Sequence, residues 1–308
     1  MDLAIIAAKQ VLQLLLMILA GAVCCKAGVF KPQDKSILSN ILLYLFVPAM
    51  VIDSYLVEFD PETFRNLLSA FGLSILALAI GLAVAVLATC RVAKENRAIL
   101  RFACGFSIAA YMGFPLIKAL FGSEGLLYAS AFVTVFNIAL WTIGYGIVSG
   151  SASAKEIIHS IVTCPCILAV ALGLVLYLGR VPVPEVLAGP IGTIGSMNTP
   201  LSMIITGATI ASSDLKKLLQ NKNLFLTLGL RLLVVPAAAL AVFALLGVSG
   251  MVPMVVLILE ACPCVTITTV FAIRFHHDEG LAAGAVVFST LCSIITLPLY
   301  ALALTAVL

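Results

Sequence analysis

The sequence predicts an all-α polytopic membrane protein of about ten transmembrane helices, and three observations predict it. Of its 308 residues 63% are hydrophobic and only 10% charged, with a mean hydropathy of +1.21. That leaves too little polar surface to cover a water-soluble globule. The apolar residues also fall in runs of roughly 18 to 25, the length a helix needs to cross about 30 Å of hydrocarbon. The charged residues, finally, sit in short breaks between these runs, with no gap long enough for a soluble domain. A β-barrel would instead show strands of about 10 residues alternating polar and apolar, a pattern this chain lacks.

Span 1 covers 4–27. Asp2 and a lone Lys9 make a poor basic start for a signal peptide, and the apolar stretch runs past any cleavage site, so it is expected to stay as a helix. Spans 2 and 3 cover 37–57 and 65–90, flanking an acidic loop with Glu58, Asp60 and Glu62. Spans 4 and 5 cover 98–121 and 125–149, and spans 6 and 7 cover 157–178 and 186–211. Spans 8, 9 and 10 cover 223–247, 251–274 and 280–306, each bounded by charged or Pro/Gly-rich breaks.

Alternate loops divide by charge. One set carries Lys26, Lys31, Lys35, Arg91, Lys94, Arg97, Arg101, Lys155, Lys216, Lys217, Lys222 and Arg274; the other has little beyond Arg65, Lys118 and Arg180. By the positive-inside rule the first set is cytoplasmic and both termini lie outside, in the plasma or inner cell membrane. The net charge of +3, scattered through loops, gives no nucleic-acid surface. Nine cysteines, several inside apolar runs, behave as small hydrophobes and form no disulfide framework.

A faint repeat accompanies these spans. Ser123-Glu124-Gly125-Leu126 opens span 5 and Asp278-Glu279-Gly280-Leu281 opens span 10, each after a span interrupted by proline; Pro48 in span 2 corresponds to Pro200 in span 7. The offset of five spans divides the chain into repeats 1–150 and 151–308, the second inverted because five crossings reverse its direction.

Candidate chemistry gathers at the interrupted spans. A mid-membrane proline frees backbone groups that protein, water or ligand must satisfy. Span 4 holds Tyr111-Met112-Gly113-Phe114-Pro115 and span 9 holds Glu260-Ala261-Cys262-Pro263-Cys264-Val265-Thr266. They are corresponding spans of the two halves, which points to a midplane site. Glu260 is costly to bury as a carboxylate, so it is expected to be protonated, paired or wet; it is the candidate for carrying a coupling proton. Arg231 in span 8 is its candidate partner, with snorkelling to the near loop as the other outcome. Asn198 offers an amide to a substrate or to a neighbouring helix. Cys262, beside the break, is expected to meet water.

Cys164-Pro165-Cys166 and Cys262-Pro263-Cys264 carry a rival function, soft-metal transport, because thiolates select copper(I) or zinc. No Met-rich or His-rich entry tract and no phosphate-binding loop accompanies them. An intramembrane enzyme using Glu260 with a histidine fits poorly, since His276 and His277 lie about four turns away on the same span. A receptor role remains a further alternative.

VLQLLLMILAGAVCCKAGVF up to Phe30, followed by ILSNILLYLFVPAMVIDSYL from Ile37, resembles the first two helices of the auxin efflux carrier family of membrane transporters. MGFPL from Met112, TPLSMIITGATIA from Thr199, ACPCVTITTVFA from Ala261 and DEGLAAGAVVFSTLCSIITLPL from Asp278 are similar to its helices 4, 7, 9 and 10. The resemblance implies a ten-helix carrier of two inverted five-helix repeats, with broken helices 4 and 9 crossing at their prolines, here Pro115 and Pro263. It implies a scaffold of helices 1, 2, 6 and 7, an elevator-like transport part, and an organic anion as substrate, such as auxin in plants or malate in bacterial permeases. Two departures stand out: Ile108 and Cys164 occupy positions where the family usually has asparagine.

The sequence therefore predicts a secondary transporter, not an enzyme, that moves a small organic anion. Its site is expected to use Tyr111, Gly113, Pro115, Cys164, Asn198, Glu260, Cys262, Pro263 and Thr266. Lipid and substrate are its expected partners, a homodimer is left open, and no cofactor is expected.

Overall fold

All ten apolar runs coincide with helical segments in the structure, a computed structural model that describes residues 2–31, 34–150, 155, 158–159, 162–212, 219 and 221–307. Lys216, Lys217 and part of the start of span 6 lie outside the described residues. Span 1 is Asp2–Lys26, and span 3 is Pro61–Ala88. The second of these starts where the Asp60 carboxylate accepts from the Thr63 N–H at 2.7 Å, while Pro61 sits where its missing N–H costs nothing. Five helical runs, Ile37–Tyr55, Pro61–Ala88, Phe114–Ser149, Lys222–Leu245 and Glu279–Leu304, are long and apolar enough to cross a membrane. The third of them is two spans, because Gly122 at φ 64, ψ −151 turns the chain between spans 4 and 5.

Three prolines shape spans without breaking them. Pro48, Pro115 and Pro236 each stand in the first turn of an α-helical segment, and each is preceded by a π-helical turn, at Leu42–Phe46, Ala109–Gly113 and Leu230–Val234. A proline cannot donate to the carbonyl four residues back and crowds that turn, so the ladder widens just before it.

Two spans do break. Span 4 is helical over Lys94–Gly105 and resumes at Ala109; span 9 is helical over Met251–Glu260 and resumes at Ile267. The extended pieces pair as an isolated antiparallel bridge between Ser107 and Cys264. Ile108 N–H donates to Pro263 O at 2.8 Å, and Val265 N–H donates to Phe106 O at 3.1 Å. In span 9 the break falls at Pro263 as the sequence predicts. In span 4 it does not fall at Pro115 but seven residues earlier, at Ile108. The proline begins a new helical stretch, where it is tolerated, whereas the bridge to span 9 ends the old one.

Span 1 packs on span 7, and span 2 packs on spans 6 and 7. Small residues permit it: a Cβ on Gly21 would stand 2.5 Å from Ile204 O of span 7, and one on Gly195 would stand 2.7 Å from Met50 Cα of span 2. Gly173 of span 6 likewise lies against the Tyr55 ring of span 2. Without a hydrophobic drive between helices in lipid, such close backbone approach supplies the packing energy.

Candidate functional site

The crossing holds a buried charge system. Span 8 delivers Arg231 to it from the π turn before Pro236, and both Arg231 and Glu260 are 0% exposed. The guanidinium reaches the carboxylate, Nη1 to Oε1, at 3.2 Å. It also donates to Cys262 O from Nε at 3.0 Å and to Cys104 O from Nη1 at 2.9 Å, while Nη2 donates to Glu260 O. These three carbonyls belong to the ends of the first halves of spans 4 and 9, where helical donors have run out. Arg231 is therefore a partner and does not snorkel: one side chain stitches both breaks. The second carboxylate oxygen of Glu260 is buried with no hydrogen-bond partner. Gly81 of span 3 makes room for the carboxylate, since a Cβ there would stand 2.8 Å from Oε1.

The residues singled out by sequence divide around this centre. Gly113 meets the Leu259 side chain and, by a built Cβ, comes 3.3 Å from Cys262 Sγ, so the second half of span 4 lies on the first half of span 9. Tyr111 takes part in the π turn. Pro115 is buried one turn on, and Asn198 is buried at the start of the second half of span 7. Cys262 is 0% exposed, with its thiol donating to Ile258 O, so the expectation that it meets water is corrected: the side chain is packed under the crossing. Cys164 stands half-buried at the start of the Pro165–Leu178 helix of span 6. Among the described residues no three His, Cys, Asp or Glu side chains gather in a group that could hold a metal.

A family model described as a membrane transport protein matches residues 6–301, nearly the whole chain. The chain belongs to that family, the one its sequence resembles. Similar proteins include an uncharacterized transporter of Methanothermobacter thermautotrophicus, 25% identical over 96% of this chain and 98% of that protein. Another is an uncharacterized transporter of Methanocaldococcus jannaschii, 23% identical over 94% of this chain and 96% of that protein. The protein is an integral membrane transporter.

On the other side of the crossing the transporter has a small pocket, with room in this conformation for about one water molecule. Thr266, at the start of the second half of span 9, lines it with Thr206, Thr209 and Ile210 of span 7 and Val286, Val287 and Thr290 of span 10. Thr206, Thr209 and Thr290 donate to Ser202 O, Ile205 O and Val286 O of their own helices, at 2.8, 2.9 and 2.8 Å. The amino end of Ile267–Arg274 adds partial positive charge beside them. Sequence reasoning found Thr266 but missed the other three, because a threonine bonded back to its own helix looks like ordinary helix interior.

Proposed function

We propose that this transporter is a secondary carrier of a small organic anion, taken at the amino-terminal half-helix ends of spans 4 and 9 and carried with a proton. One observation supports the reading above the others: both spans break at one place, their carboxyl ends turned to Arg231 and an amino end at a small pocket of threonines and aliphatic side chains. Two helix carboxyl ends carry about half a negative charge each, and the amino end at Thr266 about half a positive charge, so the pocket side favours an anion. The pocket is lined by no charged side chain, which fits a weakly held, releasable solute. Glu260 is the proton candidate, because its second oxygen is buried without a partner. In this reading the chain folds as inverted repeats 1–150 and 151–308, both termini face outward from the cell membrane, and spans 1, 2, 6 and 7 stay fixed while the rest moves.

The test is a thermal-shift screen of the purified protein against mono- and dicarboxylates, amino acids, neutral sugars and soft metals. A ligand specific to the folded state raises its stability by mass action, by about 2.7 kcal/mol at a hundredfold excess over the dissociation constant. Organic anions are expected to raise the midpoint, and proteoliposomes are expected to take up the best of them faster under an inward proton gradient. Stabilisation by neutral or cationic solutes alone would overturn the anion assignment.

A further inference from the structure

Where a membrane helix breaks, the freed carbonyls and half-helix carboxyl ends form the ligand set on which carriers of discontinuous helices hold Na+. Hard cations take such oxygen ligands, several carbonyls and a carboxylate among them. The crossing offers that set from two different spans: the carbonyls of Cys104, Glu260 and Cys262, together with Glu260 Oε1. All four accept hydrogen bonds from one guanidinium. We infer that this is a cation site and that Arg231 is its tethered cation, so that the transporter needs neither Na+ nor K+ at this place.

Three features separate this from an ordinary buried ion pair. An ion pair needs only the carboxylate, whereas three of the four acceptors here are carbonyls, one at the end of the first half of span 9, one in the break that follows it and one at the end of the first half of span 4. The charge demands a cation independently of Glu260, since two helix carboxyl ends together amount to about one negative charge. The guanidinium, moreover, enters from a third span, through the widened turn at Leu230–Val234, and is fully enclosed. It occupies the oxygen set as a bound ion would, with the difference that it cannot leave. The inference does not depend on which solute is carried and stands if the anion assignment fails.

The experiment is the thermal midpoint of the purified full chain in NaCl, KCl or N-methylglucamine chloride at equal ionic strength, with and without millimolar guanidinium or urea. Wild type is expected to melt alike in the three salts and to gain nothing from guanidinium. Arg231→Ala is expected to melt lower and to recover on the order of 5 °C, saturably, with guanidinium or a small alkali cation. Urea, the neutral isostere, should give no recovery, and neither should N-methylglucamine. Adding Glu260→Gln to Arg231→Ala should abolish the recovery, because the site loses its charged ligand. A folded Arg231→Ala indifferent to every small cation would overturn the inference, as would a sodium or potassium shift in wild type that Glu260→Gln removes. Should Arg231→Ala not fold, Arg231→Gln carries the same test. Arg231→Lys keeps a cation on the same position and is expected to fold; if it does not, a tethered cation is not what the crossing requires.

Discussion

On the side of the crossing where the first halves of spans 4 and 9 end, Arg231 satisfies three carbonyls and a carboxylate oxygen, and no face of it meets solvent. On the side where Thr266 begins the second half of span 9, threonine hydroxyls donate within their own helices and line a small pocket. Both sides solve the same problem, polar backbone inside hydrocarbon. The first solves it with an internal charge and becomes a rigid joint. The second, in the proposed reading, is where the solute is taken. A broken membrane helix thus has two unlike ends, one filled here by Arg231 and the other bordering a pocket with room for about one water molecule.

The largest expected effect comes from emptying half of the filled side. Glu260→Ala leaves Arg231 buried without its counter-ion and is expected to cost about 3 to 5 kcal/mol, read as a drop in thermal midpoint. Glu260→Gln keeps the shape and should cost less; if Glu260 carries the coupling proton, this variant folds while uptake loses its dependence on pH. Unchanged pH dependence would leave Glu260 only its role beside Arg231.

Next comes close packing across the joint. Gly81→Ala and Gly113→Ala each place a methyl against the span 9 break, at the Glu260 carboxylate and at Leu259 with Cys262. Overpacking of this kind is expected to cost about 1 to 3 kcal/mol. A loss of under about 0.5 kcal/mol in either, the level of an ordinary surface change, would mean that the joint is looser than its geometry indicates.

Much of this was legible in the sequence, for reasons that differ residue by residue. The ten spans could be read because hydrocarbon thickness imposes a length on apolar runs. Pro263 marked its own break, since Cys262-Pro263-Cys264 lacks the donor a helix needs there. Pro115 misled, because a proline in the first turn of a helix costs nothing and the break at Ile108 is made by pairing with span 9. Arg231 was visible as a charge in an apolar run, but its burial depends on a π turn set by Pro236. Thr206, Thr209 and Thr290 carry no local signal at all, since only the packing of spans 7, 9 and 10 brings them together.

A smaller effect lies on the pocket side. Thr290→Val keeps the volume and removes a hydroxyl whose proton serves Val286 O. It is expected to change resting stability by no more than about 1.5 kcal/mol, the worth of one hydrogen bond, while reducing the shift produced by a stabilising anion.

The smallest effect lies far from either side, at the start of span 3. Hydrogen bonds from the Thr63 N–H and hydroxyl hold the Asp60 carboxyl below the usual carboxylate range. A folded-state value below the unfolded one gives stability that is present above the unfolded value and lost as pH falls through the folded one. Asp60→Ala should therefore melt below wild type near neutral pH, and the difference should shrink on acidification below about pH 4. A difference that stays constant with pH would remove the ionised cap as its cause.

The most direct measurement compares wild type, Thr290→Val and Arg231→Lys, each melted with and without the organic anion that stabilises wild type most. Thr290→Val is expected to keep its resting midpoint nearly unchanged and lose most of the anion shift. Arg231→Lys is expected to show the reverse, a lowered resting midpoint with the anion shift retained. If Thr290→Val responds to the anion as wild type does and Arg231→Lys does not, the anion sits with Arg231, and the filled and pocket sides of the crossing have been assigned the wrong way round.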